Sequence, residues 1–136
     1  MLDLILAAAL LQPAAACNAI EPAGPRPANC PAWEQLASTP EATTLVDHAS
    51  VQRDGAAFDI ALRTVFPADG EGGMRSVNSR MRLDCGARTA VVRFLTAFDA
   101  RGGEIMSGAP SGEMAVPRPV PPGAPPEALL TRHCAR

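Results

Sequence analysis

The chain has 136 residues, a formal net charge of −2 and 47% hydrophobic residues. That balance argues against a nucleic-acid partner, which demands a basic face, and the length fits one domain with a modest core. Aromatics make up only 4%, with no Tyr, one Trp and four Phe, so the core must be mainly aliphatic.

The N-terminus is an apolar run over residues 2–11, then Gln12, Pro13 and the small residues Ala14, Ala15 and Ala16. This is the pattern of a secretory signal peptide over residues 1–16, and the run falls short of the roughly 20 apolar residues a membrane span needs. The segment carries Asp3 and no Lys or Arg, which suits a true start upstream of Met1. The competing reading is a buried N-terminal helix or strand. Cleavage after Ala16 leaves 120 of the 136 residues and makes Cys17 the first. Two fates of Cys17 stand side by side. One is a lipid anchor, although Ala14 occupies the place where a lipobox usually has Leu. The other is a disulfide to Cys30, favoured by the even cysteine count in a small exported chain. No C-x-x-C or nearby His completes a zinc site, so no metal is expected.

Residues 17–32 are Pro-rich, with Pro22, Pro25, Pro27 and Pro31 around Gly24, and read as a tether. The domain is expected over residues 33–136. Residues 33–36 and 43–46 read as short strands around a turn at 38–40. Residues 47–50 read as a capped turn, and Asp54-Gly55 as a hairpin signal. Residues 58–66 are the cleanest strand: Phe58, Ile60, Leu62, Thr64 and Phe66 share one face, and Asp59, Ala61 and Arg63 the other. Such a period of two marks a half-buried antiparallel strand.

After a Gly-rich turn at 69–73 the pattern repeats. Val77, Ser79, Met81, Leu83 and Cys85 share the apolar face, and Asn78, Arg80, Arg82 and Asp84 the polar one. A tight turn at 86–88 leads to a third long strand, 89–98, with Val92, Phe94, Thr96 and Phe98 in register. Consecutive strands with short turns predict a meander. Residues 104–106 and 113–116 are expected to add a short edge strand, and 117–126 to run extended. Pro126 and Glu127 suit the first turn of a helix. Leu130 and Cys134 then share one helical face. That face, laid on the sheet, would carry Cys134 to Cys85. Closing the intervening loop stabilises the fold by about 4 kcal/mol on the chain-entropy reckoning, although spacing alone does not fix connectivity. The expected fold is α+β and mostly β: an antiparallel meander of about five to six strands with a C-terminal helix tethered to one face.

Catalytic chemistry finds little support. Asp47, His48 and Ser50 are triad residue types, but one turn cannot make them converge from separated positions; Asp47 is expected to cap the turn and His48 to face solvent. Asp69 and Glu71 lack the alternating ligands of a calcium loop and read as a solvated hairpin tip. His133 reads as a helix-end residue favoured by the dipole rather than a metal or haem ligand. No cofactor is expected, and the chain is read as a non-enzyme. Every cation is an Arg and Lys is absent; beside abundant Ala, Gly and Pro this reflects GC-rich coding rather than selection for phosphate. Even so, Arg63, Arg80, Arg82 and Arg93 lie on the polar faces of neighbouring predicted strands. They would form a surface patch for a protein or an anionic glycan, against the plainer reading of cross-strand pairing with Asp59, Asp84 and Asp99.

Val46-Asp47, Ser50-Val51 and Arg53-Asp54-Gly55, then Arg75-Ser76-Val77, Asp84-Cys85 with Arg88, and finally Pro122-Gly123 with Cys134, resemble in order and spacing the bacterial surface-adhesin protein E family over residues 33–134. The resemblance implies an antiparallel sheet with a C-terminal helix held by a disulfide. It also implies an exported envelope protein, in some members an adhesin for host extracellular-matrix proteins. The expected function is an exported, non-catalytic, adhesin-like binding module at the outer membrane surface or in the periplasm. The alternatives are an envelope structural protein and a carrier of a small ligand such as haem.

Overall fold

The computed structural model describes residues 13–20 and 28–134. The apolar run at 2–11 and most of the Pro-rich stretch at 22–27 lie outside the described residues, as do 135 and 136. The described chain begins with a short helix, α1 (Pro13–Asn18). Six strands follow in sequential antiparallel order: β1 (Glu34–Ser38), β2 (Thr43–Asp54), β3 (Ala57–Val65), β4 (Ser76–Asp84), β5 (Thr89–Phe98) and β6 (Glu104–Gly108). A two-residue strand, β7 (Arg118–Pro119), pairs with the start of β5 and brings the sheet to seven. The chain closes with α2 (Pro125–Cys134). The mostly-β meander with one C-terminal helix is thus the expected architecture, with β7 as the addition.

Local chemistry explains the turns. Asp54-Gly55 makes the β2–β3 hairpin, and Gly55 takes φ 64°, a left-handed conformation that glycine adopts without a Cβ clash. After β4 the Asp84 carboxylate accepts from the Ala87 amide at 2.9 Å, and the Asp84 carbonyl from the Arg88 amide at 2.8 Å. Between β5 and β6 the Asp99 carboxylate accepts from Arg101 and Gly103 amides at 2.9 and 2.8 Å.

Alternation along the strands sends one set of side chains to each face. Val46, Phe58, Ile60, Leu62 and Leu83 form the inner core, and α2 seals it with Leu129 and Leu130. Fully burying each such side chain stabilises by about 1.5–3 kcal/mol. The seal is covalent as well: Cys85 is bonded to Cys134, with Cα atoms 5.6 Å apart. Cys17 is bonded to Cys30, with Cα atoms 5.3 Å apart.

Three local expectations are corrected. Residues 47–50 do not end a strand; β2 runs through them as a bulge, because Asp47 pairs with Ala61 and Gln52 with Asp59. The Ser50 hydroxyl fills the gap in the ladder, donating to the Asp47 carbonyl at 2.6 Å and accepting from the Ala61 amide at 2.8 Å. Residues 113–116 supply no strand but most of a 3-10 turn, Gly112–Ala115. The third correction is the phase of β5. Arg80 pairs with Phe94 but Met81 with Val92, so Arg93 is an extra residue, a β-bulge. Val92 therefore faces inward, whereas Phe94, Thr96 and Phe98 face outward.

Candidate functional site

The inner face is occupied by α2 where Phe58, Ile60 and Leu83 lie, so the outer face of β3, β4 and β5 presents the charged side chains. Cross-strand pairs set their order. Asp59 stands opposite Arg82, Ala61 opposite Arg80 and Arg63 opposite Asn78. Arg80 then stands opposite Phe94 and Arg82 opposite Val91.

The four arginines expected to form one patch meet three different fates. Arg63 is only 4% exposed. Its guanidinium donates to the Asn18 side-chain oxygen at 3.0 Å, the Asn18 carbonyl at 2.7 Å and the Asn78 side-chain oxygen at 2.9 Å. Asn78 in turn donates to Asn18 at 2.9 Å. The end of α1 and the residues after it lie over this part of the outer face, with Ala19 buried and the Ile20 amide bonded to the Ala100 carbonyl at 3.0 Å. Arg63 is therefore a buried clamp for the N-terminal segment and not a surface residue.

Arg82 is spoken for differently. It pairs with Asp54 at 2.6 Å and with Asp59 at 3.4 Å, and the Asp54 hydrogen bond raises its pKa above the usual guanidinium value. The plainer reading of cross-strand pairing holds for this residue.

Arg80 and Arg93 remain. Arg80 donates to the Ser50 carbonyl at 3.3 Å, and neither it nor Arg93 forms an ion pair among the described residues. Beside them Phe94 is 47% exposed. Asp59, Arg80, Arg93 and Phe94 line an open depression of about 290 Å³. One Asp59 oxygen, Oδ1, is buried beneath this surface and has no hydrogen-bond partner among the described residues. Phe94 was missed in the sequence because the run looks apolar and in register with Val92. The signal that could have found it is the broken alternation of Val91, Val92, Arg93, Phe94 and Leu95.

On the inner face, the two histidines meet. His48 Nδ1 and His133 Nε2 lie 2.9 Å apart, joining the β2 bulge to α2. Glu34 Oε2 approaches the other nitrogen of His48 at 3.5 Å. The His133 ring packs against Phe58 with centroids 5.3 Å apart, and Arg53 donates to the His133 carbonyl. Burial lowers the His133 pKa below the ordinary 6.5, helped by His48, Arg132 and Arg53. The expectation that His48 faces solvent is corrected: it stands two residues after the buried Val46, on the face that α2 covers, with its side chain 16% exposed. Ser50 and His48 serve the ladder and the helix seal respectively. Among the described residues no group of three or more His, Cys, Asp or Glu is placed to hold a metal ion, and no helix is long and apolar enough to cross a membrane.

A comparison with curated proteins finds no match. The family model described as surface-adhesin protein E matches residues 33–135, from just before β1 to just beyond Cys134. The match takes in the sheet, the closing helix and the disulfide between them, and the chain belongs to the surface-adhesin protein E family.

Proposed function

We propose that the chain is an exported, non-catalytic binding module that presents the outer face of β4 and β5 to a macromolecular partner, an extracellular-matrix protein or an anionic glycan. Residues 1–16 are removed on export in this reading. Residues 17–32 then lead into the domain at 33–136, and the Cys17–Cys30 bond supports a Cys17 that carries no lipid, since the bond consumes the thiol. Family membership supports a place at the cell surface. The observation that carries the recognition face is the pair Arg80 and Arg93, two cations without carboxylate partners among the described residues, next to the exposed Phe94. Unneutralised guanidinium groups on an open face attract anionic partners and bind carboxylate or sulfate by paired hydrogen bonds.

The test is binding of the oxidised, purified chain to a panel of immobilised extracellular-matrix proteins, wild type against Arg80→Ala/Arg93→Ala. A loss of about tenfold or more, equivalent to about 1.4 kcal/mol, with an unchanged unfolding curve is expected. Equal binding by the double variant would refute the outer-face reading. No binding to any member of the panel, nor to an immobilised sulfated glycan, would favour an envelope structural role.

A further inference from the structure

Resting on that outer-face reading, we propose that the depression between Arg80, Arg93 and Phe94 is a subsite for an acidic saccharide, a sugar ring bearing a sulfate or carboxylate group. Three features of the site converge on this class. First, the two cations flank the depression without being neutralised among the described residues, and guanidinium geometry suits forked hydrogen bonds to an oxyanion. Second, the bulge at Arg93 turns Phe94 outward. An exposed aromatic face beside polar groups packs on the apolar C–H face of a pyranose while its rim meets the sugar hydroxyls. Third, the Asp59 carboxylate lines the depression with its side chain 22% exposed, and a carboxylate accepts from sugar hydroxyls.

The shape argues against an acidic peptide as the occupant. Peptide and protein partners draw affinity from a desolvated apolar anchor in a pocket, ringed by contacts that exclude water. This site is shallow, open and polar around a single ring. Arg82, held by Asp54 and Asp59, stands beside the depression and keeps Asp59 in place without competing for the anion.

The experiment uses the oxidised full chain and a heparin-derived octasaccharide of defined length, titrated by calorimetry, with the desulfated octasaccharide and polyglutamate as controls. The octasaccharide is expected to bind, the desulfated form to bind at least tenfold more weakly, and polyglutamate more weakly than the octasaccharide. Arg80→Ala/Arg93→Ala should cost about tenfold or more, as loss of charge-assisted hydrogen bonds does. Phe94→Ala should cost about three- to tenfold, the scale of an aromatic contact, with the cooperative unfolding transition retained. The proposal fails if the octasaccharide does not bind, if Phe94→Ala binds it as tightly as wild type, or if polyglutamate binds equally well. The last result would make an acidic protein the ligand. A matrix protein run in parallel separates the two readings. If the double variant loses the matrix protein but the octasaccharide does not compete for it, the outer face binds a partner and the saccharide inference alone falls.

Discussion

The sheet is covered on each face by a short segment pinned with a disulfide, and the two coverings use opposite chemistry. On the inner face α2 lays Leu129 and Leu130 on Phe58, Ile60 and Leu83, and the Cys85–Cys134 bond spans 49 residues of sequence. On the outer face Asn18 offers its carbonyl and side-chain oxygen to the buried Arg63, and the Cys17–Cys30 bond spans 13. Loop entropy grows only with the logarithm of length, so the two bonds are worth about 4 and about 3 kcal/mol by the chain-entropy reckoning. The bonds are nearly equal; the seals are not. An apolar seal tolerates small shifts, because dispersion contacts and hydrophobic burial are non-directional. A polar seal is worth little per hydrogen bond when complete and is costly when one partner is missing. The outer covering is therefore the more exacting of the two.

The largest effect should come from the inner staple. Cys85→Ala/Cys134→Ala is expected to lose about 4 kcal/mol, read as a lower midpoint in urea. A loss under about 1 kcal/mol would mean the helix is held by packing alone and would erase the difference between the two spans. Next, Leu130→Ala and Arg63→Ala compare the seals directly. The first should cost about 2–5 kcal/mol through the cavity it leaves. The second should cost about 1–3 kcal/mol by removing the guanidinium donor to the Asn18 carbonyl and the Asn78 side-chain oxygen. Amide exchange sharpens the contrast: Arg63→Ala should release protection at Ile20 while leaving β3 and α2 protected. Protection lost throughout would show that the outer seal is part of one cooperative unit with the inner core.

The smallest effect is a pH dependence confined to the inner seal. The folded pKa of His133 lies below its unfolded value of about 6.5, with burial as the main cause. Below that pH the unfolded chain binds more protons than the folded one, so stability is complete above about 6.5 and is lost as pH falls through and below it. The groups facing His133 are His48, Arg53 and Arg132, with Glu34 beyond His48. Urea midpoints of the wild type and of His133→Gln, compared at pH 7.5 and 5.5, test this. The variant should show the shallower loss, and identical slopes would assign the acid sensitivity elsewhere.

The contrast between the seals also explains what the sequence could tell. The inner seal writes itself into a pattern: Phe58, Ile60 and Leu62 alternate, Leu83 and Cys85 continue the face on the next strand, and Leu130 stands four residues before Cys134. Hydrophobic periodicity reads such a face without any structure. The outer seal has no such signature. Arg63 alternates with apolar neighbours like any solvent-facing cation, and its partner Asn18 lies in a segment that reads as a tether. The candidate site was half legible. Arg80, Arg82 and Arg93 were visible as cations on one polar face. Which of them is neutralised depends on Asp54 and Asp59 across the hairpin, a matter of register. Phe94 was misplaced because strand alternation assumes an unbroken ladder, and a single surplus residue shifts every later side chain.

That surplus residue has a consequence for how related chains can differ. Everywhere else in the β4–β5 ladder, pairing fixes the number of residues between two partners. At the bulge it does not, because Arg93 has no partner of its own. Removing it would leave Val92 opposite Met81 and Phe94 opposite Arg80, each on its present face. Position 93 is accordingly where the strand can take or lose one residue without rewriting its neighbours. A cation at the mouth of the depression can enter or leave a lineage by insertion and deletion, and an alignment would record its loss as a gap rather than as a changed charge.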